Sequence, residues 1–227
     1  DPISVFDFTA QKVKENYSFF KLKQINWDSI TVQYRKKVSV STTDPELFEV
    51  LNNLLGELKD GHVNLYTKLN KGRYWEWFNN FPNNFNRNFV EINYLKKNYK
   101  ITGPFLHNWI DSVGYMYYGS FSSNFSNEEL GYLLMQYQNA KGLIIDVRDN
   151  GGGSTTNILN FMGRFVKKRT WVGCHHLKSG PSTNDFELSK DVYVNPVGLL
   201  QITDKPIVLL TNRRCYSATS FFASFMS

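Results

Sequence analysis

The sequence predicts a mixed α/β fold, with a small N-terminal helical bundle packed on a mainly parallel-sheet core. Three observations predict it. Apolar residues recur at near-helical spacing through the first sixty positions, as in Val5, Phe6, Phe8, Val13 and Tyr17. Short apolar runs at 143–147 and 207–210 then alternate with helix-like stretches, the pattern of parallel strands joined by crossover helices. The first of those runs leads into Asp149-Asn150-Gly151-Gly152-Gly153, where bare backbone is approached closely. A chain of 227 residues suits one large domain or a domain with a smaller companion. The expected division is a helical domain over 1–61 and an α/β core over 62–227.

Each element has a local reason. Trp27, Ile30, Tyr34 and Val38 continue the helical spacing after Asn26, a residue type that caps helix starts. Thr43-Asp44-Pro45 opens a third helix, since proline fits a first helical turn, and Phe48, Val50, Leu51, Leu54, Leu55 and Leu58 line one side of it. Partial alternation over 62–66 suggests a strand, while the Asn-rich and aromatic stretch 70–88 resists assignment. Residues 89–101 and 113–121 read as strands, 127–140 as an amphipathic helix, 143–147 as a buried strand and 155–166 as a helix. The polar stretch 168–197 reads as a surface loop or hairpin insertion. Another buried strand at 207–210 precedes a helical run at 218–226.

Composition excludes several function classes. The net charge is +6, a weak preference for acidic partners. The basic residues are scattered in short pairs such as Lys36-Lys37 and Arg213-Arg214, so no nucleic-acid interface is expected. No run of 18 apolar residues occurs, so no integral membrane segment is expected. Cys174 and Cys215 are too few for a disulfide framework and lack metal-ligand spacing. Cys174-His175-His176 is a poor chelate, because neighbouring residues of a strand face opposite ways; no metal is expected. The chain opens at Asp1 without a methionine, and the simplest reading is a processed or trimmed chain.

The glycine triplet admits three readings. It lacks the lysine of a phosphate loop and the spacing of a dinucleotide fingerprint. It fits a plain tight turn from strand to helix, and equally a nest of backbone N–H groups that holds an oxyanion. The second reading of that nest needs a nucleophile. Ser217, beyond the strand at 207–210, is one candidate, against the ordinary use of a serine as a helix cap. Cys215 is its rival, against the ordinary use of a buried cysteine as a small hydrophobe. His62, in Leu58-Lys59-Asp60-Gly61-His62, is a candidate base, though a lone histidine is more often structural.

The ordered set L-x-D-G-H, then a strand followed by D-V-R-x-N-G-G-G, then a strand followed by T-N-x-x-x-x-S-A, resembles the S41 family of serine peptidases, the C-terminal-processing and tricorn-core-like enzymes. The matching stretches are 58–62, 113–121, 143–153, 208–212 and 217–218, of which the glycine motif is the most specific. The resemblance implies a core of ClpP/crotonase-like type, with the interval from 62 to 113 too short for a PDZ domain. It implies a serine endopeptidase that hydrolyses peptide or protein substrates without metal or cofactor, in an extracytoplasmic compartment. It leaves the oligomeric state open. Ser217 matches the nucleophile and His62 the general base of the tricorn-like branch. The amides of Ala218 and of a glycine in the turn match the oxyanion hole, Gly152 being favoured over Gly151. The processing branch uses instead a lysine further along, and the carboxylate that completes the tricorn-type set would also lie beyond residue 227, so the last part of the core is expected there. Two positions depart from the family pattern: Ser220 stands where many relatives carry Glu, and Gly61 where the tricorn type carries Ser. Asp146 and Arg148 tie the turn down, or Arg148 binds a substrate carboxylate. Aromatic residues from Tyr74 to Phe85 line a peptide cleft or pack a core. A non-catalytic ligand- or peptide-binding relative of the same fold is the alternative; an unrelated esterase is disfavoured by the absence of G-x-S-x-G.

Overall fold

Asp1 accepts a hydrogen bond from the Ser4 amide and opens α1 (Pro2–Asn16), with Pro2 in the first turn where its missing N–H costs nothing. The computed structural model describes residues 1–198, 200–202 and 204–227. The chain divides into two units, one of residues 1–80 and 174–190, the other of 81–173 and 191–227.

In the first unit α2 (Phe20–Lys23) is one turn, ended by Gln24 in the left-handed conformation. Asn26 caps α3 (Trp27–Arg35) by accepting from the Ser29 amide at 3.0 Å. α4 (Asp44–Gly56) begins with the Glu46 carboxylate reaching back to the Thr43 amide at 2.8 Å. These helices bury Phe6, Trp27, Leu47, Leu51, Leu54 and Leu58 in one cluster, each such side chain contributing about 2 kcal/mol. The Trp27 indole donates to the Ala10 carbonyl at 3.0 Å, so its one polar atom is satisfied inside that cluster. An antiparallel pair follows, β1 (Asn64–Tyr66) and β2 (Lys71–Arg73), then the single turn α5 (Glu76–Asn79).

The second unit starts with α6 (Arg87–Val90), which runs into a π-helical turn at Glu91–Leu95. A strand was expected over most of this stretch. Local bonds decide for helix: the Asn86 side chain accepts from the Phe89 amide, Arg87 pairs with Glu91 one turn on, and Asn93 donates to the Phe89 carbonyl. Only β3 (Lys100–Thr102) remains of the strand. β4 (Phe105–Ile110), β5 (Val113–Tyr118), α7 (Asn127–Gln136), β6 (Gly142–Asp146) and α8 (Thr155–Met162) come next. β7 (Thr170–His175) and β8 (Lys190–Val194) form a two-stranded sheet, whose tip at 174–190 counts with the first unit. β9 (Ile207–Leu210) and α9 (Ala218–Met226) complete the elements.

The main sheet has the order β3-β4-β5-β6-β9. It is mixed: β5, β6 and β9 run parallel, whereas β3, β4 and β5 form an antiparallel meander. The two connections in the meander are too short for a crossover, so its strands must reverse. Alternation along the strands then assigns the faces. Met116, Tyr118, Leu143 and Ile145 join Leu133 of α7, Phe161 of α8 and Phe222 of α9 in the main core. Leu106, Tyr115 and Tyr117 face the other way and pack with Phe85, Val90 and Leu95. Among the described residues no helix is long and apolar enough to cross a membrane.

Candidate active site

Because β5, β6 and β9 are parallel neighbours, the segments that leave their carboxyl ends gather at one edge of the sheet. These are the turn at 119–123, the glycine turn at 147–153 and the loop at 211–217. Asn150, fully buried, fastens all three. Its Oδ1 accepts from the Gly152 amide (2.9 Å), the Thr219 hydroxyl (2.8 Å) and the Phe121 amide (3.3 Å). Its Nδ2 donates to the Tyr118 carbonyl (2.9 Å), and its own carbonyl accepts from the Tyr216 amide (3.2 Å). A second tie pairs Asp149 with Asn212: the Asp149 amide donates to Asn212 Oδ1 at 3.0 Å, and Asn212 Nδ2 donates to the Asp149 carboxylate at 2.6 Å.

Ser217 sits at the start of α9 with φ 55° and ψ −121°, a conformation a residue with a side chain adopts at a cost of about 1–3 kcal/mol. It is exposed, and its side chain makes no capping bond, so helix capping does not account for it. A serine held on a sharp strand-to-helix turn is the arrangement of a nucleophile elbow. Gly152 lies directly against it. A Cβ added at Gly152 would stand 2.8 Å from Ser217 Cβ and 3.0 Å from the Ala218 nitrogen, and φ there is +97°. The triglycine turn and the serine turn are thus in van der Waals contact within the second unit. Gly152 donates its amide to Asn150, so its part in the turn is close packing. Among the described residues the amides of Gly151 and Ala218 have no protein acceptor.

Asp146 is fully buried at the end of β6 and accepts from the Arg148 amide (3.0 Å), the Arg148 guanidinium and the Tyr115 hydroxyl (2.6 Å). Burial, then the charge and hydrogen bond of Asp146, push the Tyr115 phenol far up. Arg148 is itself held above its ordinary range, first by its bonds to Asp146, and its guanidinium lies 4.4 Å from the Phe85 ring centre. Arg148 therefore ties the turn down, and it also walls a cavity of about 810 Å³ lined by Asn83, Phe85, Phe89, Ile144 and Leu210. Cys215 donates its thiol to the Val147 carbonyl at 3.1 Å, and burial pushes its pKa up. A thiol held protonated is a poor nucleophile, so Cys215 serves as a clasp between the two turns.

His62 belongs to the first unit, on the turn after α4. Its amide donates to Asp60 Oδ1 at 3.0 Å, and its ring Nδ1 stands 3.5 Å from the same oxygen. Sequence reasoning gave no role to Asn150, Thr219, Tyr115 or Asp60. Asn150, Asp60 and Tyr115 lay inside the matching stretches, which is the signal that could have found them; Thr219 carried none. Among the described residues no group of three His, Cys, Asp or Glu could hold a metal ion.

The model of Peptidase family S41 matches residues 112–227, just over half the chain. A candidate peptidase from Parabacteroides merdae ATCC 43184, known from a crystal structure, is 38% identical, over 100% of this chain and 72% of its own, with a TM-score of 0.94. The chain belongs to peptidase family S41. Membership in S41 supports a peptidase activity. The model of the Tricorn protease C1 domain matches residues 4–56, which form most of the first unit's helices. Two solved structures share the S41 chain's fold at low identity. Mature CPAF is 10% identical over 98% of this chain and 80% of its own (TM-score 0.65). A lipoprotein from Streptococcus agalactiae is 13% identical over 99% and 72% (TM-score 0.53). No curated protein sequence matches the chain.

Proposed function

We propose that this S41 peptidase hydrolyses peptide bonds with Ser217 as nucleophile, His62 as general base and the amides of Ala218 and Gly151 as oxyanion donors. The observation that carries it is the strained, exposed Ser217 packed on Gly152, beside two amides with no protein acceptor. Neutral His62 takes the hydroxyl proton as the oxygen attacks the carbonyl carbon. Negative charge then develops on the carbonyl oxygen, and each donor there is worth about 3 kcal/mol of barrier. Collapse of the tetrahedral adduct expels the amine, which takes the proton back from His62; water, deprotonated by the same imidazole, then releases the acyl group from Ser217. Gly152 is reassigned from donor to spacer, because its N–H is already bonded to Asn150.

A fluorophosphonate probe tests this reading on the full chain. Covalent labelling is expected at Ser217 and is lost in Ser217→Ala. His62→Ala slows labelling by about a hundredfold or more. A folded protein that takes no label, and binds apolar ligands in the cavity at Arg148, is instead a binding relative of the same fold.

A further inference from the structure

We infer that Asp60 is a positioning carboxylate of His62, holding its imidazole in one orientation with the proton on the ring nitrogen that faces Asp60. This rests on the reading of His62 as general base. Asp60 is nearly buried, whereas the His62 side chain is 59% exposed. An exposed imidazole samples many orientations unless something fixes it, and losing that freedom beforehand lowers a barrier. Asp60 is itself fixed from two sides. Its Oδ2 accepts from the Tyr17 hydroxyl of α1 (2.8 Å) and the Lys23 ammonium of α2 (3.1 Å). Lys23 also donates to the carbonyls of Leu58 (2.9 Å) and Lys59 (3.2 Å), pinning the turn, and Lys59 is left-handed with φ 46°. That leaves Oδ1 for His62: it accepts from the His62 amide at 3.0 Å, and the ring Nδ1 stands 3.5 Å from it.

The charge state suits the role. Burial pushes the Asp60 carboxyl up, but bonds from the His62 amide, Tyr17 and Lys23 outweigh it and hold the group below its ordinary value. A fixed anion at Nδ1 keeps the proton there and leaves Nε2 as the base, the arrangement by which a carboxylate orients a catalytic histidine. Two further titratable groups, Tyr17 and Lys23, bond this carboxylate. The competing role is purely structural: Asp60 fastens α1 and α2 to the turn.

Inactivation by a fluorophosphonate separates the two roles, because it yields a rate at saturation and an affinity. In Asp60→Asn, which keeps the shape and loses the charge, the saturating rate falls about tenfold or more while the affinity changes less than about twofold. Asp60→Glu, which restores the charge, falls between Asn and wild type. A folded Asp60→Asn with the wild-type rate, alongside a slow His62→Ala, overturns the inference and leaves the base assignment standing. Wild-type labelling by His62→Ala overturns both. Should Asp60→Asn not fold, Asp60→Glu decides: a lowered rate at unchanged affinity supports the role, and a wild-type rate ends it.

Discussion

The Asn150 side-chain oxygen receives three hydrogens, from Gly152, Phe121 and Thr219, inside a site with no access to water. Removing it leaves buried donors with nothing to bond, which is the expensive way to lose a hydrogen bond. Asn150→Ala is expected to lower stability by about 2–4 kcal/mol, read as a shift of the urea midpoint, and to slow labelling of Ser217 with it. At Gly152 the objection is steric: an added methyl would come 2.6 Å from the Tyr216 carbonyl and 2.8 Å from Ser217 Cβ. Gly152→Ala therefore displaces the serine turn, and labelling falls by about a hundredfold, the scale of a lost oxyanion contact. The need for glycine was legible in the sequence as three in a row. The role of Asn150 was not, because its partners stand 29 and 69 positions away and no local pattern announces them.

Among the elements, the strands that carry the site were the legible ones. β6 and β9 are short apolar runs ended by polar turns, and such runs suit a sheet covered on both faces. The segment after Asn86 was misread because Phe89, Val90, Ile92 and Tyr94 favour strands by residue type. The cap at Asn86 and the Arg87–Glu91 pair outvote that preference. The parallel character of the sheet was overestimated for a related reason: apolar runs do not record strand direction, whereas the connection length does. α7 offers a test of capping. Ser126 accepts from the Glu129 amide (3.1 Å) while Glu129 reaches back to the Ser126 amide (2.7 Å). Ser126→Ala is expected to lower stability by about 1 kcal/mol, seen in thermal or urea unfolding, with the labelling rate of Ser217 unchanged.

For the molecule as a whole, acid sensitivity has a named source. His107 is buried between Thr102 and Tyr137, and burial, then the charge of Lys100, lowers its pKa from 6.5 to about 4. The unfolded chain therefore binds a proton that the folded chain refuses between those values. The contribution of His107 is complete above about pH 6.5 and drains away as the pH falls toward about 4. Urea midpoints should decline across that window, and His107→Gln should flatten the decline even where it lowers the midpoint overall. The carboxyl of Asp60 lies below 3.8 and is lost later in the same acid titration. The assignment of 174–190 to the first unit was beyond reach of the sequence, since it depends on contacts between segments far apart in the chain. That separation also sets a clock. A ribosome adding about 5–20 residues each second needs roughly 3–14 seconds to pass from Asn150 to Thr219, the 69 positions that the node must bridge. Throughout that interval the buried Asn150 side chain has no partner from the C-terminal segment, and the glycine bend waits for the turn that packs on it.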